Sequence, residues 1–437
     1  MSKLAVMGGT PVRKTPFPDY DVIGVGEKKA VNRVLKGKVL SRFFGSWHPN
    51  FYGGPEVKKL EEEWAKYFGV KHAIAVNSCT SGLYAAVGAV GVGPGDEVIV
   101  SPYTMSASAT SILVFNGIPV FADIEEDYFC LDWKSVEERI TPYTKAIVVV
   151  DLFGHPYNAD KINKLAKKHD LKIIEDVAQA PAGRYGDKYA GTLADIGVFS
   201  LNYHKHIHCG EGGVVVTDND ELAERIRLIR NHAEAVVEDK GEKNINNMLG
   251  FNFRMTEIEA AIAREQLRKL EKLVSTRISN CKYIEEGLEG IKAIIPPKVK
   301  KDCRHVYYLH SFKFKEKIAG VSRDIFINAV KAELASTKFR ENEGPRLYTG
   351  YVKPLYLQPV YQERTLYGGK KCPFECNFYK KEVNYDKGLC PTAERMHYRE
   401  LFWHDLMHSN MNKKDLDDVI RAFWKVWEKR TELSKIN

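Results

Sequence analysis

The feature that most restricts how this chain folds is a repeated alternation between short runs that are apolar throughout and amphipathic stretches of about ten residues. Residues 73–76, 97–100, 119–122, 145–152, 172–175, 197–200 and 213–217 read as strands. Residues 81–90 and 159–169 read as helices between them, with the 77–80 turn and the Gly93-Pro94-Gly95 break as punctuation. Strands without a polar face must be covered on both sides, so the spacing predicts an α/β domain around a mostly parallel sheet.

Residues 256–274 read as one long helix leaving this domain, with Ile258, Ala261, Ile262, Leu267, Leu270 and Leu273 at helical intervals. Pro296 and Pro297 then mark a break. Residues 306–314 read as a strand, 322–334 as a helix and 413–426 as a terminal helix. The expected division is an N-terminal arm and large domain over 1–275 and a smaller C-terminal α/β domain over 276–437. Residues 338–388, rich in Tyr, Pro and Gly, keep no period and read as an ordered loop region near a site.

Hydrophobic residues make up 44% and charged residues 28% of the 437, which excludes wholesale disorder, collagen and coiled coil. The net charge of +8 is spread along the chain, so it permits an anionic substrate and does not demand nucleic acid. No run is apolar enough for a signal peptide or a membrane span, and a cytoplasmic protein is expected. Eight scattered cysteines are too few for a disulfide scaffold, so reduced thiols are the expectation.

Three segments carry chemistry. Asn77-Ser78-Cys79-Thr80-Ser81-Gly82 lies at a strand-to-helix junction, where free N–H groups and the helix dipole hold a phosphate, with Thr80 and Ser81 as ligands. A plain helix cap uses the same residue types. In Ile173-Ile174-Glu175-Asp176 an apolar strand delivers a carboxylate to its C-terminal end, where open α/β sheets bind ligands. Asp176 there suits a cationic ring nitrogen, or the cap of a following helix. The third segment, 199–213, places Lys205 among bulky residues ahead of a Gly-rich turn, which suits a Schiff-base amine; a solvated loop lysine is the plain alternative. His204, His206 and His208 alternate with it, but no Cys or carboxylate set completes a zinc pattern, and no metal is expected.

Together the SxxxxKxxxxGEGG pattern of Ser200 to Gly213, EDxAQ at Glu175 to Gln179, NSxTSGL at Asn77 to Leu83 and GFNFRMTEIEAAI at Gly250 to Ile262 resemble the DegT/DnrJ/EryC1/StrS aminotransferases over essentially the whole chain. The resemblance implies a pyridoxal-5'-phosphate (PLP) enzyme of fold type I, aspartate aminotransferase-like. It implies that Lys205 forms the Schiff base and shuttles the proton, and that Asp176 binds the pyridine nitrogen and keeps it protonated. Gln179 lies by the ring hydroxyl, while Thr80, Ser81 and Ser200 hold the phosphate. Asn252 reaches in from a second subunit, so the expected unit is a homodimer. Arg254 and Glu257 brace that segment.

The sequence departs from the family in places. Met105 stands where most members stack an aromatic residue on the cofactor ring, so it stacks through sulfur and methyl or leaves that task elsewhere. Asn202-Tyr203-His204 is bulkier and more polar than usual before the lysine. His155 is a pocket candidate or a turn-stabilising residue. Tyr351, Tyr356 and Tyr361 line the entrance or pack the small domain. Cys372, Cys376 and Cys390 read as ordinary thiols before a metal knuckle.

The implied reaction passes an amine from glutamate or glutamine to a nucleotide-linked keto-sugar or a keto-cyclitol, by ping-pong kinetics. A PLP-dependent sugar dehydratase or lyase is the alternative, and Lys205 argues against it. A non-catalytic PLP-binding protein is the third reading.

Overall fold

Runs that bury both faces of a strand assemble into one seven-stranded sheet in the computed structural model, which describes residues 3–435. Its strands are β1 (His72–Val76), β2 (Glu97–Val100), β3 (Ile118–Phe121), β4 (Thr144–Val150), β5 (Lys172–Asp176), β6 (Ile196–Ser200) and β7 (Gly213–Thr217). Their spatial order is β1-β7-β6-β5-β4-β2-β3. Pairs from β6 through β3 are parallel, and only β7 runs against its neighbours. The connection from β6 to β7 holds no helix to make a crossover, so the chain returns beside β6 in the opposite sense. The expected mostly parallel sheet is therefore the one that forms.

Helices α1 (Val25–Lys36), α2 (Pro55–Phe68), α3 (Cys79–Ala89), α4 (Ala107–Val114), α5 (Trp133–Arg139), α6 (Ala159–His169) and α7 (Asp220–Arg230) belong to this part of the chain. Side chains set several of their starts: Ser78 accepts from Ser81 N and Asn219 from Leu222 N, each filling an otherwise unmet donor of the first turn.

The single helix expected over 256–274 is two helices, α8 (Glu257–Leu267) and α9 (Leu270–Gly287). The break at Arg268 and Lys269 lets both Leu267 and Leu270 turn inward. It also lets Lys269 reach back to the buried Glu27 carboxylate and to Val22 O. Apolar periodicity alone runs through such a break, because the leucines on either side both face the core.

Four further strands, β8 (Ile294–Ile295), β9 (His310–Phe314), β10 (Leu347–Thr349) and β11 (Leu401–His404), form a second, antiparallel sheet in the order β8-β9-β11-β10. It packs with α9, α10 (Arg323–Ala332) and α11 (Lys413–Glu428) around a separate apolar cluster that includes Phe312, Phe326, Phe402 and Phe423. Leu4 and Phe17 join this cluster from the N-terminal arm. The buried Glu333 holds the arm there, accepting from Ala5 N at 2.7 Å, Val12 N at 3.1 Å and Lys425 Nζ at 2.7 Å. In the other direction Leu355, Tyr361, Phe374, Tyr385 and Met396 return to the cluster under the large sheet.

The strand expected over 306–314 begins only at His310. Residues 306–308 bond instead to the turn after β4, with Val306 N on Gly154 O at 2.9 Å and Tyr308 N on Phe153 O at 2.7 Å. A side chain at Gly154 would stand 2.8 Å from Tyr307 N, so only glycine admits this docking. The detour carries Tyr308 to the C-terminal edge of the large sheet.

Candidate active site

The pleat sends the two carboxylates at the end of β5 to opposite faces. Glu175 goes to one side, where its Oε2 accepts from Leu193 N at 3.1 Å. Asp176 turns towards α3 and α4: its Oδ2 accepts from Ser108 Oγ at 2.8 Å and its Oδ1 from Ala178 N at 3.1 Å. It is 5% exposed. Burial pushes its carboxyl above the ordinary range, against the pull of the Ser108 hydroxyl, Ala178 N–H and the Lys205 ammonium.

Lys205 lies in the loop between β6 and β7, where its backbone N donates to Asn202 O at 2.9 Å. The side chain is 8% exposed, so it is no solvated loop lysine. Its Nζ rests 4.2 Å from the centre of the Tyr308 ring. Among the described residues it has no hydrogen-bond or ion-pair partner, which leaves a shielded primary amine available for chemistry.

The start of α3 faces the same edge. Ser78 caps the helix, and Ser81 Oγ donates to Asn77 Oδ1 at 2.6 Å. Helix geometry leaves the N–H groups of Cys79 and Thr80 without intrahelical acceptors. Gly213, the first residue of β7, pairs with both Val76 and Ser200. A Cβ on it would come within 2.8 Å of Cys79 N, so glycine is what allows β7 to meet the helix start. Ser200 is buried there and accepts from Asn202 N at 3.3 Å.

Gln179 is bonded at both ends, its Oε1 accepting from Phe153 N at 2.7 Å and its Nε2 donating to Tyr351 OH at 3.0 Å. Met105 is 53% exposed ahead of α4. Asn252 is exposed beside its own β1, with Asn77 Nδ2 donating to its carbonyl at 3.2 Å. Arg254 Nη1 donates to Asn231 Oδ1 at 2.9 Å, and Glu257 Oε2 accepts from Glu56 N at 2.9 Å. The edge thus brings together Asp176, Lys205, Thr80, Ser81 and Ser200, with Gln179 behind them.

These residues fit pyridoxal phosphate. The buried Asp176 has no ion-pair partner among the described residues, and a protonated ring nitrogen would supply one. The lone amine of Lys205 suits the aldehyde, and the open N–H groups of α3 suit the phosphate.

Several residues at the site escaped the sequence reading. Ser108 steadies Asp176 from 68 positions away, Tyr308 supports Lys205, and Tyr351 holds Gln179. No local pattern marks such pairings, although Tyr351 stands in the aromatic-rich segment already suspected of bordering a site. Tyr356 and Tyr361 are buried and pack instead.

His155 is buried as a turn brace and not a pocket residue. Its Nδ1–H donates to Pro156 O at 2.7 Å and its Nε2 accepts from Lys300 N at 3.0 Å, with burial holding it down at about 4. His204 is neutral as well, lowered to about 4 by burial and then by Arg340, Arg346 and Lys205. Among the described residues no three His, Cys, Asp or Glu side chains gather as metal ligands.

Comparison with known proteins gives a consistent picture. A family profile, that of the DegT/DnrJ/EryC1/StrS aminotransferase family, matches residues 45–385. The spore coat polysaccharide biosynthesis protein SpsC of Bacillus subtilis is 31% identical, covering 94% of this chain and 97% of its own. An L-glutamine:2-deoxy-scyllo-inosose aminotransferase of Micromonospora echinospora is 30% identical over 99% of this chain and all of its own. The solved structure of the aminotransferase from Psychrobacter cryohalolentis superposes with a TM-score of 0.79 at 26% identity, covering 95% of this chain and 100% of that one.

Proposed function

Because this chain belongs to the DegT/DnrJ/EryC1/StrS family and is therefore a PLP-dependent transaminase, we propose that it moves an amino group from L-glutamate or L-glutamine to the ketone of a sugar or cyclitol ring. The observation that carries the residue assignment is the presence, on one sheet edge, of a buried carboxylate and a shielded lysine, neither with an ion-pair partner among the described residues.

When bound, PLP supplies an electron sink. Asp176 holds the ring nitrogen, and Ser108 and Ala178 keep that carboxylate aimed. Thr80, Ser81 and Ser200, with the α3 N–H groups, hold the phosphate. Gln179 would lie by the ring hydroxyl, and Met105 would offer its sulfur and methyl to the ring. Lys205 Nζ anchors the cofactor, takes up the proton from the donor's α-carbon and, in the second half-reaction, returns a proton to the acceptor carbon.

The functional unit is a homodimer in which Asn252 reaches the site of a second copy. The exposed Asn252 supports this, as do Leu40, Phe44 and Trp47, which leave apolar surface nearby; Asn231 ties that segment to its own through Phe44 O. The chain divides into an arm and cofactor-binding unit, 1–275, and a smaller unit, 276–437; the separate cluster around Phe312, Phe326, Phe402 and Phe423 supports this, while the arm and residues such as Leu355, Phe374 and Met396 cross the division. Among the described residues no helix is long and apolar enough to cross a membrane, and we place the reaction in the cytoplasm, where its eight free thiols stay reduced.

The test is spectroscopic. The visible band of the lysine-bound cofactor should vanish on adding L-glutamate or L-glutamine and return with a ring ketone. A band indifferent to both donors refutes the proposed donor, and no band at all refutes Lys205.

A further inference from the structure

On the face of β5 away from Asp176, two carboxyl groups meet inside the protein. Asp151, the residue after β4, and Glu175 on β5 are both fully buried. Asp151 Oδ1 accepts from Tyr157 N at 2.8 Å and Glu175 Oε2 from Leu193 N at 3.1 Å. That leaves Asp151 Oδ2 and Glu175 Oε1 buried and without a donor among the described residues. The two side chains are nevertheless in hydrogen-bonding contact, which ionised carboxylates, acceptors only, do not allow unless one carries a proton.

No cation offsets the pair. Among the described residues neither carboxyl has an ion-pair partner. The groups facing it are Asp176, Tyr157 and the thiols of Cys130 and Cys303. Lys172 pairs with Asp195, beside Tyr157, at 3.3 Å, and Lys300, near both thiols, pairs with Glu125 at 2.5 Å. Burial, and after it the neighbouring Glu175, pushes the Asp151 carboxyl well above the ordinary range, and burial raises Glu175 as well. Two like charges are not sustained at such a site, whereas an O–H···O⁻ bond between the same groups is short and strong.

The pair sits where the chain delivers the cofactor-binding side chains. Val150 pairs with Asp176 in the sheet, and Asp151 N donates to Asp176 O at 3.1 Å. Two residues further on, Phe153 N holds Gln179 Oε1 at 2.7 Å. A bond from Asp151 to Glu175 therefore closes the ends of β4 and β5 beneath both Asp176 and Gln179. A second full charge there would also repel the Asp176 carboxylate, which a ring nitrogen needs ionised.

We propose that Asp151 and Glu175 share one proton in the working enzyme, Asp151 Oδ2 donating it to Glu175 Oε1, and that through this bond they are positioning residues for Asp176 and Gln179. The positioning role rests on the transaminase reading above.

Amide variants test it, because an amide imitates a protonated carboxyl. Asn at position 151 accepts from Tyr157 N and donates its NH₂ to Glu175; Gln at position 175 accepts from Leu193 N and donates to Asp151. Asp151→Asn and Glu175→Gln, each alone in the PLP-loaded enzyme, should keep the rate of the donor half-reaction within about threefold. The double variant sets two NH₂ groups against each other with no acceptor, and should lose about tenfold or more beyond the product of the single effects. A double variant that does not fold while both single variants do counts as the same loss.

Infrared difference spectra at about pH 8, where an exposed carboxyl is ionised, read the proton itself without turnover. The C=O band of a protonated carboxyl should appear in the native enzyme and vanish in either single variant. A band missing from the native enzyme or surviving in both variants, a single variant that is slower than expected or unfolded, or a double variant no worse than the product of its parts overturns the proposal. Bleaching of the visible band by amino donors is read first on the native enzyme. Its failure strikes the transaminase reading, and the infrared result still decides whether the proton is shared.

Discussion

Ser108→Ala probes a donor that favours the ionised form of the buried Asp176 carboxylate. Ser108 Oγ donates to Asp176 Oδ2 at 2.8 Å inside a site from which water is excluded. Oδ1 keeps Ala178 N and the Cys79 thiol, so the substitution leaves Oδ2 alone without its donor. A hydrogen bond to a buried charge contributes about 1.5–3 kcal/mol. Burial raises the folded pKa of Asp176 above its unfolded value, so ionising it costs the folded state stability as pH rises through that folded value. Removing a donor that favours the ionised form raises the folded value further and enlarges that cost. The loss should therefore be smaller at about pH 5 than at about pH 8, and approach about 1.5–3 kcal/mol where the carboxylate is ionised, because the bond favours the ionised form. Urea unfolding of the cofactor-free protein at both pH values, at one fixed protein concentration, measures it. An equal loss at both refutes the charge argument and leaves only packing; no loss at pH 8 refutes the bond itself.

Lys205→Ala should abolish the donor half-reaction, read as no spectral change with glutamate or glutamine, while circular dichroism stays native, because the Lys205 ammonium lies against the Tyr308 ring and holds no hydrogen bond among the described residues. Asp176→Asn should slow that half-reaction by about tenfold or more through weaker ring protonation, measured in single-turnover mixing; an unaltered rate would assign the nitrogen to another residue. Glu333→Ala should cost about 3–5 kcal/mol, since it strips the buried acceptor shared by Ala5, Val12 and Lys425. Limited proteolysis should then cut the N-terminal arm, and an arm as resistant as in the native protein would show that Phe17 and the apolar cluster hold it unaided.

Short continuous apolar runs were sufficient to determine the large sheet and its mostly parallel sense, because a strand buried on both faces tolerates no polar residue. Elements such as the strand Gly213–Thr217 and the helix Ala159–His169 could be read from local chemistry, and so could Asp176 and Lys205, which close or follow such strands. What the sequence could not decide is how distant segments share space. The break between α8 and α9 answers to Glu27, the late start of β9 answers to the Phe153–Gly154 turn, and Ser108 finds Asp176 only once α4 packs beside β5. The same holds for a cavity lined by Tyr308, where Asp19, Arg277, Arg340 and Asp405 come together from four distant stretches of the chain. Local pattern records what each residue needs buried or bonded; only the closed tertiary structure decides which distant partner meets the need.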